Sequence, residues 1–216
     1  MISNSFCLDS DGIYRCSAFQ QFAWLKHGFG TRLANPNVDI TLPQIHSDRV
    51  LNAAGLTDRE RQGDALITNE IGKCIGVRTA DCVPILMVDS RHGAVAAVHA
   101  GWRGTAVGIV KQVIDKMQSD FAVSAADLYA AVGPCIRACC YEVGPEVAAH
   151  FNLIGRCNID LPEANRHQME AAGLPPDHIF DSGLCTACQT SQFFSFRREP
   201  HNPGRMLSSI CRSRIG

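Results

Sequence analysis

The sequence predicts a globular fold that mixes β-strands with α-helices, and three observations support this prediction. Hydrophobic residues make up 46% of the 216 residues and charged residues 19%, which is ordinary for a chain with a buried core. Short apolar runs bounded by turn residues recur along the chain, as expected of strands. Between residues 107 and 118 the apolar residues recur instead at helical spacing.

Charge and composition exclude several classes of function. The net charge of −1 gives no overall field that would attract nucleic acid or acidic membranes. No apolar run is long enough to span a bilayer, and the first residues lack the pattern of a signal peptide. The 11 cysteines are therefore expected to be reduced thiols or metal ligands in a cytoplasmic protein. We expect no nucleic-acid or membrane partner, and the oligomeric state stays open.

The first strand is predicted over residues 24–29, and Arg32 follows it in a glycine-containing turn. An arginine just past a strand end is either a solvated charge or an anion contact. Further strands are predicted over residues 64–68 and 74–78.

A hairpin is predicted next, with strands over residues 83–88 and 94–98. Pro84 cannot donate a hydrogen bond, so it favours an edge or bulged strand. If Cys82 pairs directly with His99 at the open end, their Cβ atoms lie about 4.5–5.5 Å apart. A slip of one residue would instead place them on opposite faces.

Cys82 and His99 are candidate ligands of one zinc ion, and His46 is the third candidate. Three protein ligands that leave a fourth position open are typical of a catalytic zinc site. The alternative is that His99 is a strand-end histidine with its hydrogen bonds satisfied and Cys82 an inert buried thiol. Their spacing alone matches no standard metal motif.

A helix is predicted after this segment, capped by Thr105 and continuing to about Gln118. Arg103 precedes it, and an arginine beside a helix N-terminus favours an anion such as phosphate. Later elements are a strand over residues 128–132, helices from Pro145 and after Asp160, and a last strand over residues 204–210.

A second cysteine group is visible in the last third of the chain. Cys185 and Cys188 form a CxxC motif, which together with Cys135, Cys139 and Cys140 would supply the ligands of a structural zinc cluster. A redox role for the CxxC motif would require a thioredoxin-like unit, which the sequence does not show.

Several segments taken together resemble the YfiH family, also called the multicopper polyphenol oxidase or laccase-domain family. The resemblance covers nearly the whole chain in the family's order. It rests on residues 44–46, 63–68, 79–84, 99–104, 133–136, 140–143, 194–198 and 204–206.

The resemblance implies one domain over residues 1–216, with a layered α/β/β/α sandwich of mixed sheets similar to the catalytic domain of a cytotoxic necrotising factor. It implies zinc bound by His46, Cys82 and His99, with purine nucleosides and inorganic phosphate as substrates. The implied reactions are phosphorolysis of adenosine, inosine, guanosine and methylthioadenosine, and hydrolytic deamination of adenosine.

The implied reactions require a proton carrier and groups that bind phosphate and nucleoside, and the remaining site residues are assigned to these roles. Asp81 is predicted to carry a proton, with orientation of a ligand histidine as its alternative role. Arg103 and Arg32 are predicted to hold phosphate, because a guanidinium fork matches phosphate oxygens. Gln44 is assigned to the substrate site.

The chain departs from the family around residues 33–42, where the family has a longer segment that is expected to help cover the pocket. This shortening bears on substrate range and activity more than on the metal site.

Three other functions compete with this hypothesis. The first is a copper-dependent polyphenol oxidase, although copper oxidases use many histidines and this chain has 8, none as His-x-His. The second is a metal-free hydrolase with Cys82 as nucleophile and His99 as base. The third is a binding module without catalytic activity.

Overall fold

The computed structural model describes residues 5–56, 61–201 and 204–214. Within them the chain forms two large β-sheets and one small two-stranded sheet. The strands are β1 (Phe6–Leu8), β2 (Tyr14–Cys16), β3 (Leu25–Phe29), β4 (Val50–Asn52), β5 (Ala65–Thr68), β6 (Cys74–Thr79), β7 (Val83–Asp89), β8 (Val95–Ala100), β9 (Leu128–Val132), β10 (Glu142–Val143), β11 (Cys157–Asn158), β12 (Ile179–Asp181) and β13 (Met206–Arg212).

The two large sheets differ in strand direction. The first has the order β1-β2-β3-β13-β6 and is antiparallel throughout, so that β13 lies between β3 and β6. The second has the order β12-β9-β7-β8-β5-β4 and is mixed, since its two outer pairs are parallel and the inner pairs antiparallel.

The α-helices of the described residues are α1 (Trp102–Ala106), α2 (Ile109–Phe121), α3 (Pro145–Ala148) and α4 (Leu161–Ala171). Helices α2 and α4 contact each other, and α2 also contacts β4, β5 and β8 of the six-stranded sheet. None of the helices in the described ranges combines the length and the apolar character needed to cross a bilayer.

Alternate residues of β7 serve two hydrophobic cores. Leu86 packs in the core between the two sheets, whereas Met87 packs under the helices with Val113 and Met117 of α2. Successive side chains of a strand point to opposite faces, so a strand covered on both faces is apolar along its whole length. Every residue of β7 is buried for this reason. The predicted layered α+β fold is therefore confirmed, with the six-stranded sheet as its mixed sheet.

The prediction that Pro84 marks an edge or bulged strand is wrong. Strand β7 lies in the interior of its sheet, between β9 and β8, and pairs without interruption from Val83 to Val88. Pro84 is tolerated there because it lies beside Gly133, just past the end of β9, where its carbonyl accepts the Gly133 N–H at 2.9 Å. The N–H group that Pro84 lacks would lie at the end of the pairing between β7 and β9, where no further hydrogen bonds of the sheet follow.

The helix predicted from Thr105 is divided into two. Thr105 lies inside α1, where its hydroxyl accepts a hydrogen bond from Asn165, and α2 begins after Gly108 without a side-chain cap. Gly108 adopts a φ of 81°, which breaks the helical path and favours glycine. Val107 is consequently exposed, while the other apolar residues of the predicted stripe are buried.

Two further helices were predicted, one after Asp160 and one from Pro145. Asp160 caps α4 through a hydrogen bond from the Glu163 N–H, as predicted. The helix that begins at Pro145 is shorter than expected, because α3 ends at Ala148 and a 3₁₀ turn, Ala149–Phe151, replaces its second half.

Candidate metal centre

The hairpin β7–β8 presents two of the candidate ligands, but in a register that differs from the predicted one. His99 pairs with Pro84, not with Cys82. A four-residue turn, residues 90–93, closes the hairpin with a hydrogen bond from the Asp89 N–H to the Ala94 carbonyl. This turn is centred one residue later than the predicted register requires, which shifts the pairing by two residues. A shift of two keeps Cys82 and His99 on one face as diagonal neighbours, within reach of long side chains.

The three predicted ligands converge. Ligand atoms of His46, Cys82 and His99 all lie within 4.8 Å of one another. The two imidazole rings are 4.9 Å apart, centroid to centroid, and nearly perpendicular. His99 is buried, Cys82 is half-buried and His46 is exposed, so the cluster opens toward solvent on the His46 side.

Asp64, immediately before β5, is the residue that sequence reasoning missed. Its fully buried carboxylate accepts hydrogen bonds from the backbone N–H groups of Ile45, His46 and Ser47 and from the Ser47 hydroxyl. These bonds hold the loop in which His46 adopts a left-handed φ of 58°, a strained conformation for histidine. Asp64 therefore fixes the direction of the His46 side chain.

Asp64 also orients the second imidazole. His99 Nδ1 lies 2.8 Å from Asp64 Oδ1, which leaves His99 Nε2 as the coordinating nitrogen. Burial alone would raise the pKa of Asp64, but the hydrogen bonds from His99 and Ser47 outweigh it and lower the pKa to about 2. Burial likewise opposes a charge on His99, yet its bonds with Asp64 and Cys82 raise its pKa to about 9.

The Cys82 thiol lies in an environment that favours the thiolate. Burial opposes its ionisation, but hydrogen bonds and positive charge from His46 and His99 lower its pKa to about 6. A thiolate is the form of cysteine that binds metals and acts as a nucleophile.

Gly101 borders the space between the ligands. A Cβ atom at this position would lie 3.1 Å from both Cys82 Sγ and His46 Nδ1. Glycine thus keeps open a small space that a side chain would fill. Two imidazoles and one thiolate around such a space are a donor set that suits zinc, so the residues present fit the metal that the sequence predicts.

Asp81 lines the same region, but its carboxylate is engaged elsewhere. It accepts hydrogen bonds from the Thr186 hydroxyl at 2.6 Å, the Ser195 hydroxyl at 3.1 Å and the Arg197 backbone N–H at 2.7 Å. These bonds tie the chain just before Cys82 to two distant segments. The alternative prediction for Asp81 was orientation of a ligand histidine, but the carboxylate that contacts His99 is that of Asp64.

A cavity of about 770 Å³ opens above the three ligands. Its lining combines aromatic surface with positive charge, and Asp81 supplies the only carboxylate among the described lining residues. The aromatic residues are Trp102, Tyr141 and Phe196, and the basic residues are Arg78, Arg103, Arg197 and Arg205.

Of the three predicted substrate-binding residues, two line the cavity and one does not. Arg103 lines the cavity, with its guanidinium 4.3 Å from the centre of the Trp102 ring system. Gln44 lines it too, although its amide bonds the backbone N–H and carbonyl of Arg78. Arg32 is absent from the described lining, and its guanidinium contacts the Thr190 carbonyl and Glu199.

The short segment of residues 33–42 leads directly into the cavity wall. It forms one bridge, from Ile40 to Ile75 of β6, and Leu42 and Pro43 at its end line the cavity. Leu33 near its start is 85% exposed, so this part of the segment extends away from the core.

Comparison with known proteins identifies the family. Residues 26–213 match the family described as multi-copper polyphenol oxidoreductase laccase. The chain belongs to this family. The match includes all three ligands, Asp64 and the cavity, so the whole centre lies within the part that defines the laccase-like family.

Relatives within the laccase-like family carry names of purine nucleoside enzymes. A protein of Bacteroides thetaiotaomicron named purine nucleoside phosphorylase is 42% identical over 161 residues, covering 68% of this chain and 60% of that protein. The chain thus spans less than two thirds of this relative's length. A protein of an unknown prokaryotic organism named adenosine deaminase RL5 is 42% identical over 198 residues, covering 81% of this chain and 75% of that protein.

Solved structures of the family share the fold. The crystal structure of YlmD from Geobacillus stearothermophilus superposes with a TM-score of 0.84 at 30% identity, over 97% of this chain and 99% of that one. The YfiH protein of Bacillus licheniformis gives a TM-score of 0.85 at 27% identity, over 96% and 99% of the two chains.

Proposed function

We propose that this protein is a zinc-dependent purine nucleoside enzyme. Its reactions are phosphorolysis of adenosine, inosine, guanosine and methylthioadenosine to the free base and the corresponding 1-phosphate sugar, and hydrolytic deamination of adenosine to inosine. The observation that carries the proposal is the convergence of His46, Cys82 and His99 at the floor of an arginine-lined cavity. The names of relatives at 42% identity agree with it.

His46, Cys82 and His99 would hold the zinc, and Asp64 prepares them for it. The Asp64 carboxylate holds a proton of His99 on Nδ1, so that Nε2 is the nitrogen that releases its proton and binds the metal. A bound zinc ion supplies a Lewis acid that polarises an oxygen atom of the reactants.

Phosphate is bound by arginines of the cavity. Arg103 is the first candidate, since its guanidinium is exposed to the cavity and lies against Trp102. Arg78, Arg197 and Arg205 line the same space, and their positive charge favours a dianionic substrate. We leave Arg32 out of this site because its guanidinium contacts Glu199.

The purine and ribose are positioned by aromatic residues. Trp102, Tyr141 and Phe196 provide flat apolar surface on which a base can stack. Burial, together with the negative charge of the Cys82 thiolate, raises the pKa of Tyr141 to about 12. The hydroxyl therefore stays protonated at neutral pH and serves as a hydrogen-bond donor to the substrate.

We assign Asp81 a positioning role. Two of its hydrogen bonds come from the buried hydroxyls of Thr186 and Ser195, and the third comes from the backbone N–H of Arg197, which lines the cavity. It holds the wall segment that carries Phe196 and Arg197 close to the metal ligands.

The decisive experiment measures metal content and turnover in the same preparation. Purified protein is analysed for zinc and then incubated with inosine, with and without phosphate, while chromatography follows hypoxanthine and ribose 1-phosphate. Base release that depends on phosphate supports phosphorolysis, and conversion of adenosine to inosine without phosphate supports deamination. Binding of nucleosides without turnover would contradict the proposal.

Cys82→Ala is the matching variant, and Cys7→Ser on the first strand is its control, because Cys7 lies in neither cysteine-containing cluster of the described residues. The Cys82 variant is expected to lose zinc at this centre and at least about 100-fold of its inosine turnover. Unchanged turnover in this variant would overturn the ligand assignment.

Two other functions keep a specific observation in their favour. The family description names polyphenol oxidation, and a Cys/His donor set also binds copper. Phenol oxidation by protein that contains zinc as its only metal would contradict the copper hypothesis. The lowered pKa of Cys82 beside His99 would equally suit a metal-free hydrolase. Alkylation of Cys82 blocked by substrate, in protein free of metal, would favour that alternative.

A further inference from the structure

A second cluster of thiols lies apart from the catalytic centre. The sulfur atoms of Cys139, Cys140, Cys185 and Cys188 all lie within 4.8 Å of one another. All four are free thiols. Cys135, which the sequence places with this group, is not part of the cluster and is fully buried in the core under the helices.

The spacing of the sulfur atoms matches the edges of a tetrahedron around one metal ion. Cys139 Sγ lies 3.7 Å from the sulfur of each of the other three cysteines, and Cys140 Sγ lies 3.3 Å from Cys188 Sγ. Zinc bound by four thiolates at about 2.3 Å places neighbouring sulfurs about 3.8 Å apart. A disulfide would require about 2.05 Å.

Two turns bring the four thiols together. Cys139 and Cys140 lie in a turn closed by the Arg137 carbonyl, which accepts the N–H groups of Cys140 and Tyr141. Cys185 and Cys188 lie in a second turn, closed by a bond from the Gln189 N–H to the Cys185 carbonyl. A bridge between Cys135 and Cys185 joins the two segments.

Backbone amides point at the most buried of the four sulfurs. The backbone N–H groups of Arg137, Ala187 and Cys188 lie beside the Cys185 sulfur and favour its thiolate form. Amide donors around a thiolate are the supporting bonds that orient metal ligands and stabilise their charge.

Three arginines lie near the cluster. Arg197 donates to the Cys140 carbonyl, Arg198 donates to the carbonyls of residues 186 and 187, and Arg137 lies on the turn that precedes Cys139. Arg137 and Arg198 are paired with Asp181 and Glu199, so Arg197 is the one of the three that contributes positive charge toward the net charge of about −2 of four thiolates around one Zn²⁺.

We propose that Cys139, Cys140, Cys185 and Cys188 form a structural zinc site with four protein ligands. Binding releases the four thiol protons to solvent and leaves no coordination position for substrate, so the site has no redox or catalytic step. It fastens the turn that precedes Tyr141 to the turn that carries Thr186. Because Thr186 donates to Asp81 and Tyr141 lines the cavity, the site stabilises one wall of the nucleoside cavity.

The test counts zinc in the full-length protein, purified under reducing conditions, and does not depend on activity. Wild-type protein is expected to hold two zinc ions per chain, Cys139→Ser/Cys188→Ser one, Cys82→Ala one, and the control Cys7→Ser two. Undiminished zinc in the double variant would overturn the proposal. So would four thiols of the cluster found as disulfides in protein that was never exposed to oxidant.

A second measurement leaves the cluster unmutated, in case the double variant does not fold. Cys82→Ala protein is freed of zinc and titrated with Co²⁺. The proposal predicts one cobalt ion per chain with the intense sulfur-to-metal absorption of a four-thiolate tetrahedral centre. Absence of this absorption, or cobalt bound without it, would contradict the proposal, whatever the outcome for nucleoside turnover.

Discussion

The two clusters of metal-ligating side chains differ in what surrounds them. His46, Cys82 and His99 lie at the ends of strands and in a loop held by a buried carboxylate, and they face a cavity. Cys139, Cys140, Cys185 and Cys188 lie on two turns and surround their own centre with sulfur alone. A ligand set with nitrogen donors and an open side suits chemistry, whereas a closed sulfur set suits mechanical support.

Asp64→Asn tests the first cluster most strongly. His46 and His99 bond to Oδ1 of Asp64, whereas Ile45 and Ser47 bond to Oδ2. The amide loses the negative charge and directs an N–H₂ group toward one of these two sets of donors, so both sets cannot persist. Zinc affinity at this centre is expected to fall by about 10- to 100-fold, measured by competition with a chromophoric chelator. Asp89→Asn is the control, since Asp89 is equally buried at the other end of the hairpin. Equal zinc loss in both variants would show that Asp64 affects zinc binding only by stabilising the fold.

Removal of metal with a chelator compares the two clusters within one molecule. Three protein ligands with an open side release an ion to a chelator more readily than four thiolates that enclose it. Zinc loss at neutral pH is expected in two phases that differ at least about tenfold in rate. Cys82→Ala protein should lack the fast phase, and a single phase in wild-type protein would erase the distinction between the clusters.

Gly101→Ala tests the space between the ligands of the open centre. The new methyl group would lie 3.1 Å from Cys82 Sγ and His46 Nδ1, so at least one ligand must move. Zinc affinity is expected to fall roughly tenfold, equivalent to about 1.4 kcal/mol, as measured by zinc titration.

Gly144→Ala is the matched control for Gly101→Ala. Gly144 precedes α3 with φ −76° and ψ 170°, almost the same conformation as Gly101 before α1, with φ −74° and ψ 172°. The three atoms nearest to a Cβ there belong to the flexible carboxylate of Glu146, at 2.5–2.8 Å, and this side chain can turn away. If both variants lose zinc, the loss results from alanine at the residue before a helix and not from a methyl group between the ligands.

Tyr141→Phe is expected to have the smallest effect, and it concerns the wall that the sulfur cluster supports. Loss of one hydrogen bond to the substrate is worth about 1 kcal/mol, so kcat/KM should fall by roughly five- to tenfold with zinc content unchanged. Tyr129→Phe is the control, because Tyr129 stacks on His178 outside the described cavity lining. Loss of zinc in the Tyr141 variant would show that the wall and the metal are not separable.

Much of the fold was predictable because its signals are local. The apolar runs of β7 and β9 and the helical stripe of α2 follow directly from residue periodicity. The interior position of β7 was not predictable, because Pro84 alone favours an edge and the tolerance depends on where β9 ends. Breaks such as the one at Gly108 depend on backbone conformation that a hydrophobic pattern does not record.

The convergence of His46, Cys82 and His99 was predictable, although one premise of the prediction was wrong. The assumed register was wrong by two residues, and a shift of two preserves the face on which Cys82 and His99 lie. Asp64 carried a usable signal, since it is an acidic residue directly before the fully buried strand β5. A buried carboxylate requires donors, and the donors nearest in the fold are far away in sequence. The cavity arginines at positions 78, 197 and 205 share that difficulty.

Strand β13 has a consequence for how the polypeptide matures on the ribosome. Residues 206–212 occupy an interior position between β3 and β6, which are encoded far upstream. One hydrogen-bonding edge of β3 and one of β6 therefore have no native partner until residues 206–212 have been synthesised and have left the exit tunnel. Unpaired strand edges favour association between nascent chains, so the polypeptide is expected to depend on chaperones that bind unfolded chains during translation.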